Sequence, residues 1–250
     1  MATDWRLIML AIYKREMYSF FTSPIGYVFV AIFWAVSGIV FSYFTLLQGK
    51  SASPSSYFTA EIFVMMLVTP LLTMKSFSED RKLKTEQLIL TSPVSLPGFV
   101  TAKFLASYTL LAGTFILINC INLPIMFSFL SDEPLIVYNT VTALGSCVAV
   151  LLVGAAFISI GMLISSLTEN QIVSALGTLV TIALLLGASM LNSKIGFAPL
   201  RAVLRWLSIY SRFSGFTQGY FDFASLFYYA SFAAVCLFVT VRIYEKRRWA

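Results

Sequence analysis

Groups able to do chemistry are sparse in this chain, and one is missing outright: none of its 250 residues is His. That removes the commonest general base and most zinc sites. Asp132 and Glu133 are adjacent carboxylates just before Pro134, a pattern that suits a solvated turn better than an acid and base pair, since no nucleophile stands near them. Gly49, Lys50 and Ser51 imitate the tail of a phosphate-binding loop. Phe44, however, takes the place of that loop's first glycine, and an apolar run precedes it where a strand is needed. Cys120, beside Asn119 and Asn122, has no base. Together with Cys147 and Cys236 it falls in apolar sequence at no metal spacing, so packing is the expected role. The expectation is a chain that is not an enzyme and holds no metal or cofactor of its own.

Charge concentrates instead in SFSEDRKLKTEQLILTSPVS, Ser76 to Ser95, between two long apolar runs. Ser78 has the type and place of a helix cap, and Glu79 and Asp80 suit the positive end of the dipole. Asp80 with Lys84, and Lys82 with Glu86, stand one turn apart. Ser92 and Pro93 end the segment. These features predict a surface helix over Ser78 to Leu90. Rooted in spans at both ends, it could pass force between a soluble partner and the membrane interior, which a free loop could not.

The elements that position this helix follow from composition: 59% of the residues are hydrophobic, 16% aromatic and only 11% charged, with a mean hydropathy of +0.87. An ordinary soluble domain is excluded. Runs near the roughly 20 residues needed to cross about 30 Å of hydrocarbon occur at Ile25 to Leu47, Tyr57 to Met74, Phe99 to Phe129, Val137 to Ile164, Ile172 to Leu191 and Phe223 to Tyr244. The fold class is therefore all-α and polytopic, with about six spans. The first run lacks a small-residue cleavage pattern and is read as retained.

Orientation is read from Lys and Arg. With both termini cytoplasmic, twelve of the 17 fall on the inner side, and the outer five are Lys50, Lys194, Arg201, Arg205 and Arg212. The net charge of +6 then reflects topology and attraction to anionic headgroups, and nucleic acid is not an expected partner.

Two blocks, YKREMYSFFTSPIGYVFVAIFWAVSG (Tyr13 to Gly38) and FSEDRKLKTEQLILTSPVSLPGFVTAKFLA (Phe77 to Ala106), resemble signatures of type 2 ABC transporter permeases. The nearest branch is that of the membrane subunits of gliding-motility and nitrous-oxide-reductase maturation transporters. SSLTENQIVSA (Ser165 to Ala175) and VRIYEKRRW (Val241 to Trp249) are similar to further blocks of that branch. Many members place Gly before the Thr of the second block. This chain has Lys84 before Thr85, and Lys, a good helix former, leaves only the local backbone shape open.

The resemblance implies one permease domain over 1–250, built of six transmembrane helices. To these it adds a cytoplasmic interfacial helix within 1–24, a coupling-helix loop over 76–98 and an outer helical hairpin, re-entrant or interfacial, over 192–222. It places Glu79, Arg81, Glu86 and Pro93 in contact with an ATP-binding-cassette subunit, which would hold the ATP and Mg. It also implies a second permease copy or a related permease as partner, an exporter's function and a place in the cell membrane. A membrane scaffold that recruits a cytoplasmic protein without transport is the alternative.

Residue patterns add detail. Trp5 to Phe21 is long enough for the interfacial helix, with Thr3 or Asp4 as cap and Pro24 as stop. Thr168 and Gln171 have capping-box spacing. Leu200, Val203, Leu204 and Leu207 follow one helix face, with Arg201, Arg205, Ser208 and Arg212 opposite. Glu61 precedes Lys75 by about 21 Å of helix and is read as an interfacial carboxylate, with a substrate or proton site as the other reading. Pro70 is expected to bend its span. Asn119 and Asn122 either bond helices together or line a path. Gly154, Ala155, Ser159, Gly161 and Ser165 form a small face for packing within the chain or across a dimer.

Overall fold

A computed structural model describes residues 2–87, 95–130, 136–192, 208–220 and 222–249. Among them, six helices are long and apolar enough to cross a membrane: Pro24–Leu46, Pro54–Lys82, Leu96–Leu130, Tyr138–Leu167, Gln171–Ala188 and Phe223–Trp249. The protein is all-α among these residues and has the make-up of a multi-pass membrane protein. Large apolar side chains such as Ile39, Leu144, Leu176, Leu184 and Phe227 face outward from the spans, which hydrocarbon tolerates and water does not.

The helices are α1 (Ala2–Thr22), α2 (Pro24–Phe41), α3 (Pro54–Thr73), α4 (Ser78–Lys82), α5 (Leu96–Leu130), α6 (Ile136–Leu167), α7 (Gln171–Asn192), α8 (Ile209–Thr217) and α9 (Phe223–Trp249). Only Ser23 separates α1 from α2, and Pro24 both stops the first helix and opens the second. The corner is tight enough that a Cβ on Gly26 would lie 2.2 Å from the Phe20 carbonyl oxygen. Glycine is what lets the two backbones meet there. A π-helical turn, Ser42–Leu46, extends α2.

At the centre, α6 packs against α3, α5, α7, α8 and α9. Its small face makes this possible: a Cβ on Gly161 would lie 2.2 Å from Thr73 Oγ1, and one on Gly154 2.9 Å from a Leu111 methyl. Of the two packing roles expected for that stripe, these contacts are within the chain. Around it Phe29, Phe33, Phe58, Met65, Phe115 and Phe157 fill the core. The α3 helix runs through Pro70, where the Thr69 hydroxyl donates to the Met65 carbonyl at 2.6 Å.

With 35 residues, α5 is about 52 Å long, well beyond the hydrocarbon thickness. Its first turns are buried and meet α1. At the opposite end, Ser208 caps α8 by accepting from the Ser211 amide at 3.2 Å. Ile209, Phe213 and Phe216 bury one face of that helix, and Arg212 lies 4.3 Å from the Tyr228 ring centre. The Ser225 hydroxyl and Ala224 amide bond Asp222 at the start of α9 and hold its carboxyl below its usual range. Leu200 to Leu207, with Arg201 and Arg205, and the Asp132 and Glu133 turn lie outside the described residues.

Candidate functional site

The charged segment expected on the surface sits at the end of the bundle where α3, α5, α6 and α9 converge, and its helix is shorter than the sequence predicts. Regular α4 stops at Lys82, and Lys84 takes a left-handed backbone, φ 59°. Helix resumes at 85–87. Lys84 thus stands in a conformation that suits glycine, and the expectation of an unbroken helix from Ser78 to Leu90 does not hold across this position. The break also undoes the expected pairs: Asp80 meets Lys103 instead of Lys84, and Glu86 meets Arg247 instead of Lys82.

Capping differs too. Ser78 is already inside the helix, and its hydroxyl donates backward to the Met74 carbonyl. The free amides of Phe77 and Ser78 are satisfied from α6, by the Ser165 hydroxyl at 3.1 Å from each. A tertiary contact thus replaces a local cap.

Lys103 is the hub. Its ammonium is buried, 2.6 Å from the Ser76 carbonyl, 2.8 Å from Asp80 and 3.1 Å from Glu16 of α1. The rings of Phe77 and Phe99 flank it at 5.4 and 5.3 Å. The Ser76 carbonyl accepts a hydrogen bond from the ammonium, two carboxylates balance its charge, and the aromatic faces shield it from water. Phe77 and Phe99 also pack against Tyr244 of α9, at 5.1 and 6.1 Å between ring centres.

Further ion pairs complete a collar. Arg247 of α9 reaches Glu86 at 3.1 Å and the Ser166 carbonyl at 2.6 Å. Arg81 reaches Glu169 at 3.0 Å and the Leu167 carbonyl at 3.1 Å, both in the turn between α6 and α7. Lys75 and Glu79 pair at 3.7 Å. That turn is capped by Asn170, whose Oδ1 accepts from the Ile172 amide at 2.9 Å. Thr168, expected to be the cap, donates to the Asn170 carbonyl instead.

Of the residues expected to meet a partner, Glu79 is partly exposed beside Lys75, Arg81 is engaged with Glu169, and Glu86 is turned inward at 7% exposure. Pro93 lies outside the described residues. What points outward from this segment is Lys82, Leu83, Lys84 and Gln87, with Leu83 63% exposed. Sequence reasoning missed Lys103, Glu16, Ser165 and the Glu86–Arg247 pair. The one available signal was a lysine set in FVTAKFLA, where a cation in an apolar run needs a partner.

Away from the collar, a buried polar cluster joins α2, α3 and α5. The Ser37 hydroxyl donates to Glu61, Tyr57 donates to Asn119 Oδ1 at 3.2 Å, and Asn122 donates to the Tyr57 oxygen at 3.1 Å. Glu61 is wholly buried within the bundle. The asparagines bond helices together, the first of the two roles expected for them. Among the described residues, no group of His, Cys, Asp and Glu is placed to hold a metal.

No family model matches the chain, and no curated protein is significantly similar to it.

Proposed function

We propose that this chain is the membrane-spanning permease subunit of a type 2 ATP-binding-cassette exporter, worked from the cytoplasm through the segment after α3. The reading is supported by the resemblance of the four sequence blocks and by six membrane-length helices. The observation that carries it is the way 76–87 is fastened. One short segment is tied by charge to α5, the α6–α7 turn and α9 at once, and through Lys103 to Glu16 of α1. A push on such a segment is delivered to several helix ends together, whereas a loop that only sets topology has no need of buried ion pairs.

In this reading α4 docks in a groove of the ATP-binding subunit, which holds the ATP and Mg. Leu83, Lys82 and Lys84 supply the contact surface along with Glu79. Arg81 and Glu86 act one step behind it, passing displacement to the α6–α7 turn and α9. Both termini are then cytoplasmic, and a second permease copy or related permease completes the path. Closure of the ATP-binding dimer tilts the two halves between inward-open and outward-open states, and cargo must bind these states unequally for work to be done.

The test is co-purification of the chain with an ATP-binding-cassette subunit in detergent, followed by ATP hydrolysis with and without the permease. Leu83→Asp is expected to weaken the complex. Glu86→Arg, which sets two guanidinium groups face to face, is expected to leave the complex intact and uncouple hydrolysis from the permease. A partner that binds through Leu83 with no dependence on nucleotide would favour a scaffold instead.

A further inference from the structure

Glu61 is the carboxyl that the collar and the proposed coupling do not use. Its side chain is wholly enclosed, the Ser37 hydroxyl donates to Oε1, and Oε2 has no hydrogen-bond partner. An ionised carboxylate offers about four lone-pair sites, and leaving it buried with one donor and no cation is costly.

The directions of the neighbouring bonds decide which form of the acid fits. Asn119 is fixed by its own amide, which donates to the Phe115 carbonyl at 2.9 Å, so its Oδ1 faces Tyr57 as an acceptor. Tyr57 therefore spends its only proton on Asn119, and Asn122 donates to the Tyr57 oxygen. The phenol oxygen keeps a lone pair, and its proton is committed to Asn119. That lone pair would be lost on a carboxylate and suits a carboxylic acid.

No cation offsets this. Among the described residues Glu61 is in no ion pair, and the titratable groups facing it are Tyr57 on its own helix and Cys147 on α6, with Cys120 of α5 beyond the cysteine. Ser37 on α2 and the two asparagines on α5 are neutral. The α7 helix carries no ionisable side chain at all, and Arg212 of α8 is engaged over Tyr228.

We propose that Glu61 is a proton-binding site inside the bundle, held as the neutral acid at neutral pH, with Ser37 donating to Oε1 and the acid proton on Oε2. The bound proton removes a charge that no cation in the site balances. Separating α2 from α3 would open the site to water and release the proton. The inference rests on side-chain geometry and stands whether or not the chain is a permease.

The experiment is infrared spectroscopy of the full-length protein in lipid nanodiscs at neutral pH, as the difference between wild type and Glu61→Gln. The expected result is a carbonyl band of a protonated, hydrogen-bonded carboxyl present only in the wild type and shifted in Tyr57→Phe. Ionised-carboxylate bands in its place overturn the proposal. If Glu61→Gln does not fold, the wild type decides alone: a protonated-carboxyl band at neutral pH supports the site, and its absence overturns it. Replacing potassium with sodium in the buffer is expected to leave the band unchanged, and a band lost on adding sodium overturns the proton as occupant in favour of a metal cation.

Discussion

Two regions handle their carboxyls in opposite ways. In the collar Glu16 and Asp80 share Lys103, Glu86 has Arg247, and Arg81 has Glu169. Around Glu61 the partners are Ser37, Tyr57 and the amides linked to them, all neutral. The collar stands at a bundle end, beside exposed residues and chain turns, where cations on long side chains can be drawn in from several helices. The Glu61 cluster lies among spanning helices, where supplying a cation would mean desolvating a second charge. One region therefore balances its carboxyls with cations, and the other surrounds its carboxyl with neutral groups.

The sharpest way to break this contrast is to neutralise the hub. Lys103→Met leaves Glu16 and Asp80 facing each other without their shared cation, and a loss of about 3–5 kcal/mol is expected. Thermal unfolding in detergent should drop steeply, and an unchanged midpoint would show that the collar does not hold α1 and α4 to α5.

Gly161 lies one turn from Ser165, on the α6 face that receives Thr73. Gly161→Ala drives a Cβ into that side chain, for an expected cost of about 1–3 kcal/mol. Thr73→Gly should recover part of it in the double variant. Independent losses that simply add would separate the α3–α6 contact from the collar above it.

Smaller is the pair between Glu86 and Arg247. A double-mutant cycle through Glu86→Gln and Arg247→Gln should give a coupling of about 1 kcal/mol, since the pair is only partly enclosed. A coupling of zero would reduce it to a surface contact. The smallest effect is expected at Lys84, where Gly relieves a left-handed backbone worth ~1 kcal/mol. Lys84→Gly should raise hydrogen-exchange protection in 76–87, and reduced protection would mean that the lysine side chain itself holds the turn.

Much of this architecture was legible before any coordinates. Six apolar runs became six helices because a membrane-spanning backbone must satisfy its own hydrogen bonds, and run length alone then sets the element. Pro24 as the stop of the first helix and the small face on α6 were likewise visible as local patterns. The charged segment was visible as a place but not as a structure. Propensity favoured an unbroken helix with its own pairs at four-residue spacing, and Lys84 breaks it because Asp80 and Glu86 gain stronger partners outside the segment.

Composition and order along the chain thus determined what crosses the membrane and where charge collects, because those follow from transfer energies that each stretch carries by itself. Only tertiary packing decided that Lys103 would be shared between α1 and α4, that Ser165 would cap a helix 87 residues away, and that Glu61 would be closed in without a cation. Those outcomes depend on which helix ends meet in space, and no local window of sequence contains both partners.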